Sequence, residues 1–220
     1  RRIEEPYRLA VSAVRVRIFA AAVKIDTYHH RLHQEFDVAP YANARELSDD
    51  LAIIAQSLKA HGAEKLANGR LRQLQRAVSI FGFHMAPVDM RQYSGMHEKI
   101  IAELFDKAGL EDYMALDEAS RRIVLLRELV SPRPLFCPDL NYSEETRKEL
   151  DIFRAAREIQ DRYGDAVLPN YIISNCNSVS DLLEVAVLMN EVGLVQITPQ
   201  PRSRINIIPL FETIGDLRGC

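Results

Sequence analysis

Cysteine is scarce in this sequence, and what there is does not pair. Cys137, Cys176 and Cys220 are far apart and odd in number, with none of the spacings that mark a zinc site or a disulfide scaffold. A reducing compartment, the cytoplasm, is therefore expected. Long apolar runs are missing too: no stretch approaches the ~20 residues of a membrane span, and the first residues lack the basic, apolar, small-residue order of a signal peptide. Ala20, Ala21 and Ala22 are flanked by Arg15, Arg17 and Lys24 and read as helix. Neither sign of charge dominates, with 28 Lys and Arg against 31 Asp and Glu and a formal net charge of −3. That balance argues against a general binder of nucleic acid or of an anionic membrane, so any bound anion must meet a local site. Short internal repeats and low-complexity segments are also absent.

What is present is ordinary for a globular protein. The 220 residues are 47% hydrophobic and 27% charged, enough to bury one large core or two small ones. Helical signals dominate. Pro6 to Glu35 reads mainly as one long helix, although the alternation of Val14, Arg15, Val16, Arg17 and Ile18 also suits a strand. A polar helix follows, with Ser48, Asp49 and Asp50 near its start and Leu51, Ile54, Ala55 and Leu58 on one face. A shorter helix over 66–78 completes a mainly helical segment, residues 1–78. Within 79–220, apolar spacing predicts helices from Met96 to Ala108, stopped by Gly109, and from Asp117 to Val130, stopped by Ser131 to Pro134. Ser143 caps a third through about Arg162. Ser178 with Asp181 opens a fourth, nearly all apolar, which runs to Val192 and stops at Gly193.

Two apolar runs end on a charge: Phe81 to Gln92 with Arg91, and Ile205 to Thr213 with Glu212. Together with Leu168 to Ser174 they are predicted as strands near 80–91, 168–174 and 205–212. The Ile205 run has no polar alternation, so both of its faces are expected to be covered, as in a parallel sheet wrapped by helices. Barrel enzymes place catalytic groups at the carboxyl ends of such strands. A capping or surface-paired carboxylate is the alternative for Glu212.

Three segments are distinctive together. FGFHMAPVDMRQYS (Phe81–Ser94), YIISNCNSVSDLLEVAVLMNEVGL (Tyr171–Leu194) and PLFETIGDL (Pro209–Leu217) follow one another in the order and spacing seen in bacterial-type phosphoenolpyruvate carboxylases. Over nearly its whole length the chain resembles that family. The resemblance implies an α/β, helix-rich chain that forms part of a (β/α)8 TIM-type barrel surrounded by many additional α-helices. It also implies a chemistry. Bicarbonate attacks the phosphorus of phosphoenolpyruvate to give carboxyphosphate and the pyruvate enolate, and the enolate captures the released carbon dioxide to form oxaloacetate. A Mg²⁺ or Mn²⁺ ion is implied as cofactor, and a hard cation of this kind takes few protein oxygens and keeps water and substrate as its other ligands.

Residue by residue, Glu212 matches the family's metal-binding glutamate, Leu210 a pocket-lining residue that meets substrate, and Arg91 the substrate-binding, catalytic arginine. A planar guanidinium suits bidentate contact with phosphate or carboxylate. Asp89 lies two residues from Arg91 and is either an orienting partner for it or a structural acid. Gln92 is a weaker supporting candidate, and Tyr93-Ser94-Gly95 departs slightly from the family's usual loop. His29, His30 and His33 have a spacing that can hold zinc, yet no further ligand motif accompanies them, so a solvated face is expected. His84 is expected to be buried within the first strand, and Cys137 and Cys176 to be packing residues.

Against the family pattern the chain lacks the catalytic histidine, the second metal-binding acid, the glycine-rich arginine loop and the C-terminal allosteric region. With Arg1 in place of a Met and Cys220 where a crossover helix begins, it reads as a central fragment that is inactive when isolated. A homo-oligomer, a tetramer by resemblance, is implied for the full-length enzyme. Two rival readings remain: another metal-dependent barrel enzyme acting on phosphoenolpyruvate or pyruvate enolates, and a helical interaction module with no chemistry.

Overall fold

A computed structural model of the chain describes residues 5–30 and 38–219. Its helices are α1 (Pro6–His30), α2 (Ala44–Ala60), α3 (Glu64–Leu66), α4 (Arg72–Phe81), α5 (Ser94–Lys107), α6 (Glu118–Leu129), α7 (Glu144–Tyr163), α8 (Val179–Val192) and α9 (Ile214–Gly219). The strands are β1 (Met90–Tyr93), β2 (Asn170–Ser174), β3 (Val195–Gln196), β4 (Arg202–Ser203) and β5 (Asn206–Pro209). The chain is thus helix-rich with a small parallel sheet, in two compact units, Arg1–Ala86 and Pro87–Cys220.

The first unit is helical. Val14, where a strand was an alternative, lies in α1 and packs with Tyr41, Leu47, Leu51, Ile54 and Val78. Arg17 stacks its guanidinium 3.8 Å over the Tyr41 ring and pairs with Glu46 at 2.8 Å and Asp50 at 3.1 Å. The Asn43 side chain caps α2 by accepting from the Glu46 N–H. His33 and the side chains of His29 and His30 lie outside the described residues.

The strand predicted near 80–91 is shorter and later than its apolar residues suggest. Helix α4 continues through Phe81 and stops at Gly82, whose φ of 51° only glycine adopts readily. Met85, with φ of 66°, and Pro87 keep the following residues in turns. Met85 and Val88 are exposed, and His84 is half-buried in this turn rather than inside a strand. Pairing begins only at Met90.

In the second unit β1, β2 and β5 form a parallel sheet with β2 in the centre. Met90, Tyr171 and Ile207 form one row across the three strands, and Arg91, Ile172 and Ile208 form the next. The pleat sends these two rows to opposite faces. One row, with Tyr171 and Ile173, is buried in a core shared with Leu104 and Phe105 of α5, Leu125 of α6, Phe153 of α7 and Leu188 and Met189 of α8. Full burial of each such side chain is worth ~1.5–3 kcal/mol. The other row is open, with Ile208 38% exposed. The expectation that the Ile205 run is covered on both faces is therefore corrected: within the described chain its helices cover only one.

The expected caps set the helices of this unit. Asp117 and Ser143 accept from backbone N–H groups at the starts of α6 and α7, and Ser178 with Asp181 forms a capping box on α8. Gly193 ends α8 at φ 76°, and the Arg157 guanidinium occupies the space a Cβ would need while donating to the Val192 carbonyl at 2.5 Å. The β3–β4 hairpin that follows had no signal in the sequence pattern. Cys176 is buried and its thiol is pushed up to about 11 by burial. Cys137 is exposed in the proline-rich loop before α7, which corrects its reading as a packing residue.

Two buried titratable groups give the fold a pH dependence. Glu184, fully buried on α8, accepts a 2.6 Å hydrogen bond from the Tyr113 hydroxyl, and burial raises its carboxyl to about 8. His97, fully buried on α5 with Nε2 2.8 Å from the Tyr171 hydroxyl, is lowered by burial to about 4. Because the folded state holds the Glu184 proton, that contribution is complete below pH ~4.5 and is lost as pH rises through 8. The neutral His97 acts the other way, complete above ~6.5 and lost as pH falls toward 4. Above pH 6.5 Glu184 acts alone. Wild-type protein is expected to lose about 2 kcal/mol relative to Glu184→Gln between pH 6.5 and 8. Melting temperatures of the two full-length proteins measure the difference, and a pH-independent gap would refute the assignment.

Candidate active site

Three adjacent strands bring polar side chains together on the open face, and Arg91, expected at the carboxyl end of its strand, is the second of the four residues of β1. Arg91 rises from β1, Ser174 closes β2, and Glu212 follows β5 by three residues. These positions are 83 and 121 residues from Arg91 along the chain, yet their side chains touch. Arg91 donates from Nε to Ser174 Oγ at 2.5 Å and from Nη2 to Glu212 Oε1 at 3.1 Å. The second carboxylate oxygen of Glu212 accepts the Asn175 backbone N–H at 3.0 Å. Asn175 turns the chain at φ 54°, a left-handed conformation that asparagine tolerates better than most residues.

The loop carrying Glu212 is fixed by its own sequence. Thr213 and Asp216 form a reciprocal cap on α9: the Thr213 hydroxyl accepts the Asp216 N–H at 3.1 Å, and Asp216 accepts the N–H groups of Thr213 at 2.8 Å and Glu212 at 3.0 Å. The Thr213 side chain and these backbone donors hold the Asp216 carboxyl below its usual range. Leu210, half-buried, donates to the Ile173 carbonyl and accepts from the Cys176 N–H, which ties its backbone to β2.

The Arg91–Glu212 pair is half open to solvent, with side chains 56% and 40% exposed. Pairs this exposed contribute ~0–1 kcal/mol to stability. Both groups can therefore be drawn onto ligands at small cost. Glu212 presents a hard, accessible carboxylate of the kind a Mg²⁺ or Mn²⁺ ion takes. Asp216 is committed to backbone donors, and among the described residues no cluster of three His, Cys, Asp or Glu side chains is present. The residues thus fit one protein ligand to a hard cation.

The two supporting candidates lie elsewhere. Asp89 accepts from the Asn170 amide at 2.9 Å, and Asn170 in turn accepts from Asn206 at 3.1 Å. This ladder crosses the amino ends of the strands, opposite the end that holds Glu212. Gln92 points to the helix-covered face and donates to Glu149 of α7 at 2.7 Å. Ser174 and Asn175 were not singled out from the sequence. The signal that drew attention to Arg91, a polar residue closing an apolar run, applies equally to Ser174, which ends β2.

The family model described as phosphoenolpyruvate carboxylase matches residues 1–220. Proteins named phosphoenolpyruvate carboxylase from Rhodopseudomonas palustris (strain BisA53), Chromobacterium violaceum and Nitrosomonas europaea are 51%, 49% and 46% identical to it. The alignments cover 100%, 98% and 100% of this chain and 23%, 24% and 24% of those proteins. The chain therefore spans about a quarter of the length of these relatives.

Proposed function

The chain belongs to the phosphoenolpyruvate carboxylase family, and from that premise we propose that it supplies part of the catalytic barrel of an enzyme that carboxylates phosphoenolpyruvate with bicarbonate. The observation that carries this reading is the meeting of the Arg91, Ser174 and Glu212 side chains from three adjacent parallel strands and the loop that follows one of them. Parallel strands joined through helices on one face are what a (β/α)8 barrel is made of, and the open face with Arg91 and Ile208 would be its lumen. Additional strands and helices from the rest of the enzyme would complete it.

In the reaction a bicarbonate oxygen bonds to phosphorus while the bond from phosphorus to the enol oxygen breaks. Carboxyphosphate then releases carbon dioxide and phosphate, and the enolate carbon attacks the carbon dioxide to give oxaloacetate. Arg91 binds the anionic substrate through its fork of donors, and Leu210 offers an apolar wall beside it. Glu212 would hold a Mg²⁺ or Mn²⁺ ion, which when bound stabilises negative charge developing on oxygen. Asp89, through its ladder, and Gln92, through Glu149, hold the β1 strand that carries Arg91.

The catalytic histidine, second metal acid and glycine-rich loop of the family would come from beyond this segment. By resemblance the enzyme is a cytoplasmic homo-oligomer, a tetramer. Among the described residues no helix is long and apolar enough to cross a membrane.

The test is oxaloacetate formation by the full-length protein, read as NADH oxidation with malate dehydrogenase. Activity should require phosphoenolpyruvate, bicarbonate and a divalent cation together. Conversion of phosphoenolpyruvate to pyruvate with no oxaloacetate would overturn the proposal and favour another enolate chemistry.

A further inference from the structure

We infer that Ser174 is a positioning residue that holds Arg91 in the orientation needed to bind substrate. The inference rests on the reading of Arg91 as a substrate-binding group. An arginine side chain more than half exposed samples many rotamers, and each must be given up when an anion binds. Ser174 removes part of that freedom in advance. Its register partner is Tyr93, so it stands two residues beyond Ile172, the partner of Arg91, on the same face of the sheet. There its Oγ accepts the Nε–H at 2.5 Å, which uses the inner edge of the guanidinium and leaves the terminal nitrogens facing Glu212 and the open face.

The next residue acts on the other ionic group. Asn175 turns away in its left-handed conformation and presents its backbone N–H to Glu212. Two consecutive residues at the end of the central strand thus set the arginine and the carboxylate against each other. Only a short side chain with an acceptor fits this role at position 174: alanine has no acceptor, whereas threonine keeps the oxygen and suits a strand.

Kinetics on the full-length enzyme decide the matter. Ser174→Ala should raise KM for phosphoenolpyruvate so that kcat/KM falls about tenfold, with melting temperature unchanged. Ser174→Thr should stay within about threefold of wild type. In an Arg91→Ala background, Ser174→Ala should cost nothing further, because the group it positions is gone. Ser174→Cys, similar in volume with only a weak acceptor, should repeat the alanine loss, which assigns that loss to the missing acceptor and not to an unsettled strand end, whereas wild-type kinetics in Ser174→Cys would overturn the role. Wild-type kinetics in Ser174→Ala, or a loss that multiplies fully with Arg91→Ala, would overturn the positioning role while leaving Arg91 as the substrate contact. Wild-type kinetics in Arg91→Ala alone would instead remove the substrate reading beneath it.

Discussion

Glu212→Gln in the full-length protein is expected to lower kcat about a hundredfold even at saturating metal, equivalent to ~2.7 kcal/mol of barrier. The Mg²⁺ or Mn²⁺ concentration for half activity should also rise steeply. Glutamine keeps the volume and one acceptor oxygen, so the Asn175 N–H can retain a partner, and the Thr213–Asp216 cap that fixes the loop is untouched. What disappears is the charge. Because the exposed pair with Arg91 is worth at most ~1 kcal/mol, thermal stability should barely move. A purely structural carboxylate would give the reverse pattern, a lower melting temperature with unchanged metal activation. Unaltered kcat together with unaltered metal dependence would remove Glu212 from the site.

Arg91→Ala should lower kcat/KM for phosphoenolpyruvate by about ten- to a hundredfold or more, the loss of a charge-assisted contact of ~1.5–3 kcal/mol. Arg91→Lys should restore only part of it. An ammonium can reach the anion but cannot donate to Ser174 and Glu212 while also presenting a planar fork. The alanine variant leaves Glu212 with only its Asn175 donor, so a modest change in metal affinity should accompany the loss of substrate affinity. Steady-state kinetics with phosphoenolpyruvate and metal varied independently separate the two effects, and wild-type values in both would refute the substrate role.

Helices were the most legible part of this molecule because their ends are written locally. Asp117, Ser143 and the Ser178–Asp181 pair start helices, and Gly109 and Gly193 stop them, within a residue or two of where the sequence places them. Strands were less legible. Phe81 to Val88 is apolar enough to resemble a buried strand, yet Gly82 and Pro87 break it, and its residues end a helix and form a turn. The β3–β4 hairpin pairs only two residues from each strand, too few to show an alternating pattern. Arg91 and Glu212 were conspicuous as charges at the ends of apolar runs. The contribution of Ser174 and Asn175 was not, because it depends on the register of β1 with β2 and on a backbone turn, which are set by long-range pairing and not by neighbouring residues.

That register has a further consequence for how the segment can change. Arg91 and Gln92 are adjacent, but the pleat gives them different worlds: one reaches Ser174 and Glu212, the other reaches Glu149 on α7. Position on β1 therefore carries a parity. A one-residue slip of β1 against β2 would exchange odd for even, bringing Met90 or Gln92 to the arginine's place and turning the guanidinium toward the helix-covered face. A change of length in the segment with exposed Met85 and Val88 can be absorbed there without moving the strand. Register with β2, and not the length of the turn before it, is thus what keeps the guanidinium on the open face.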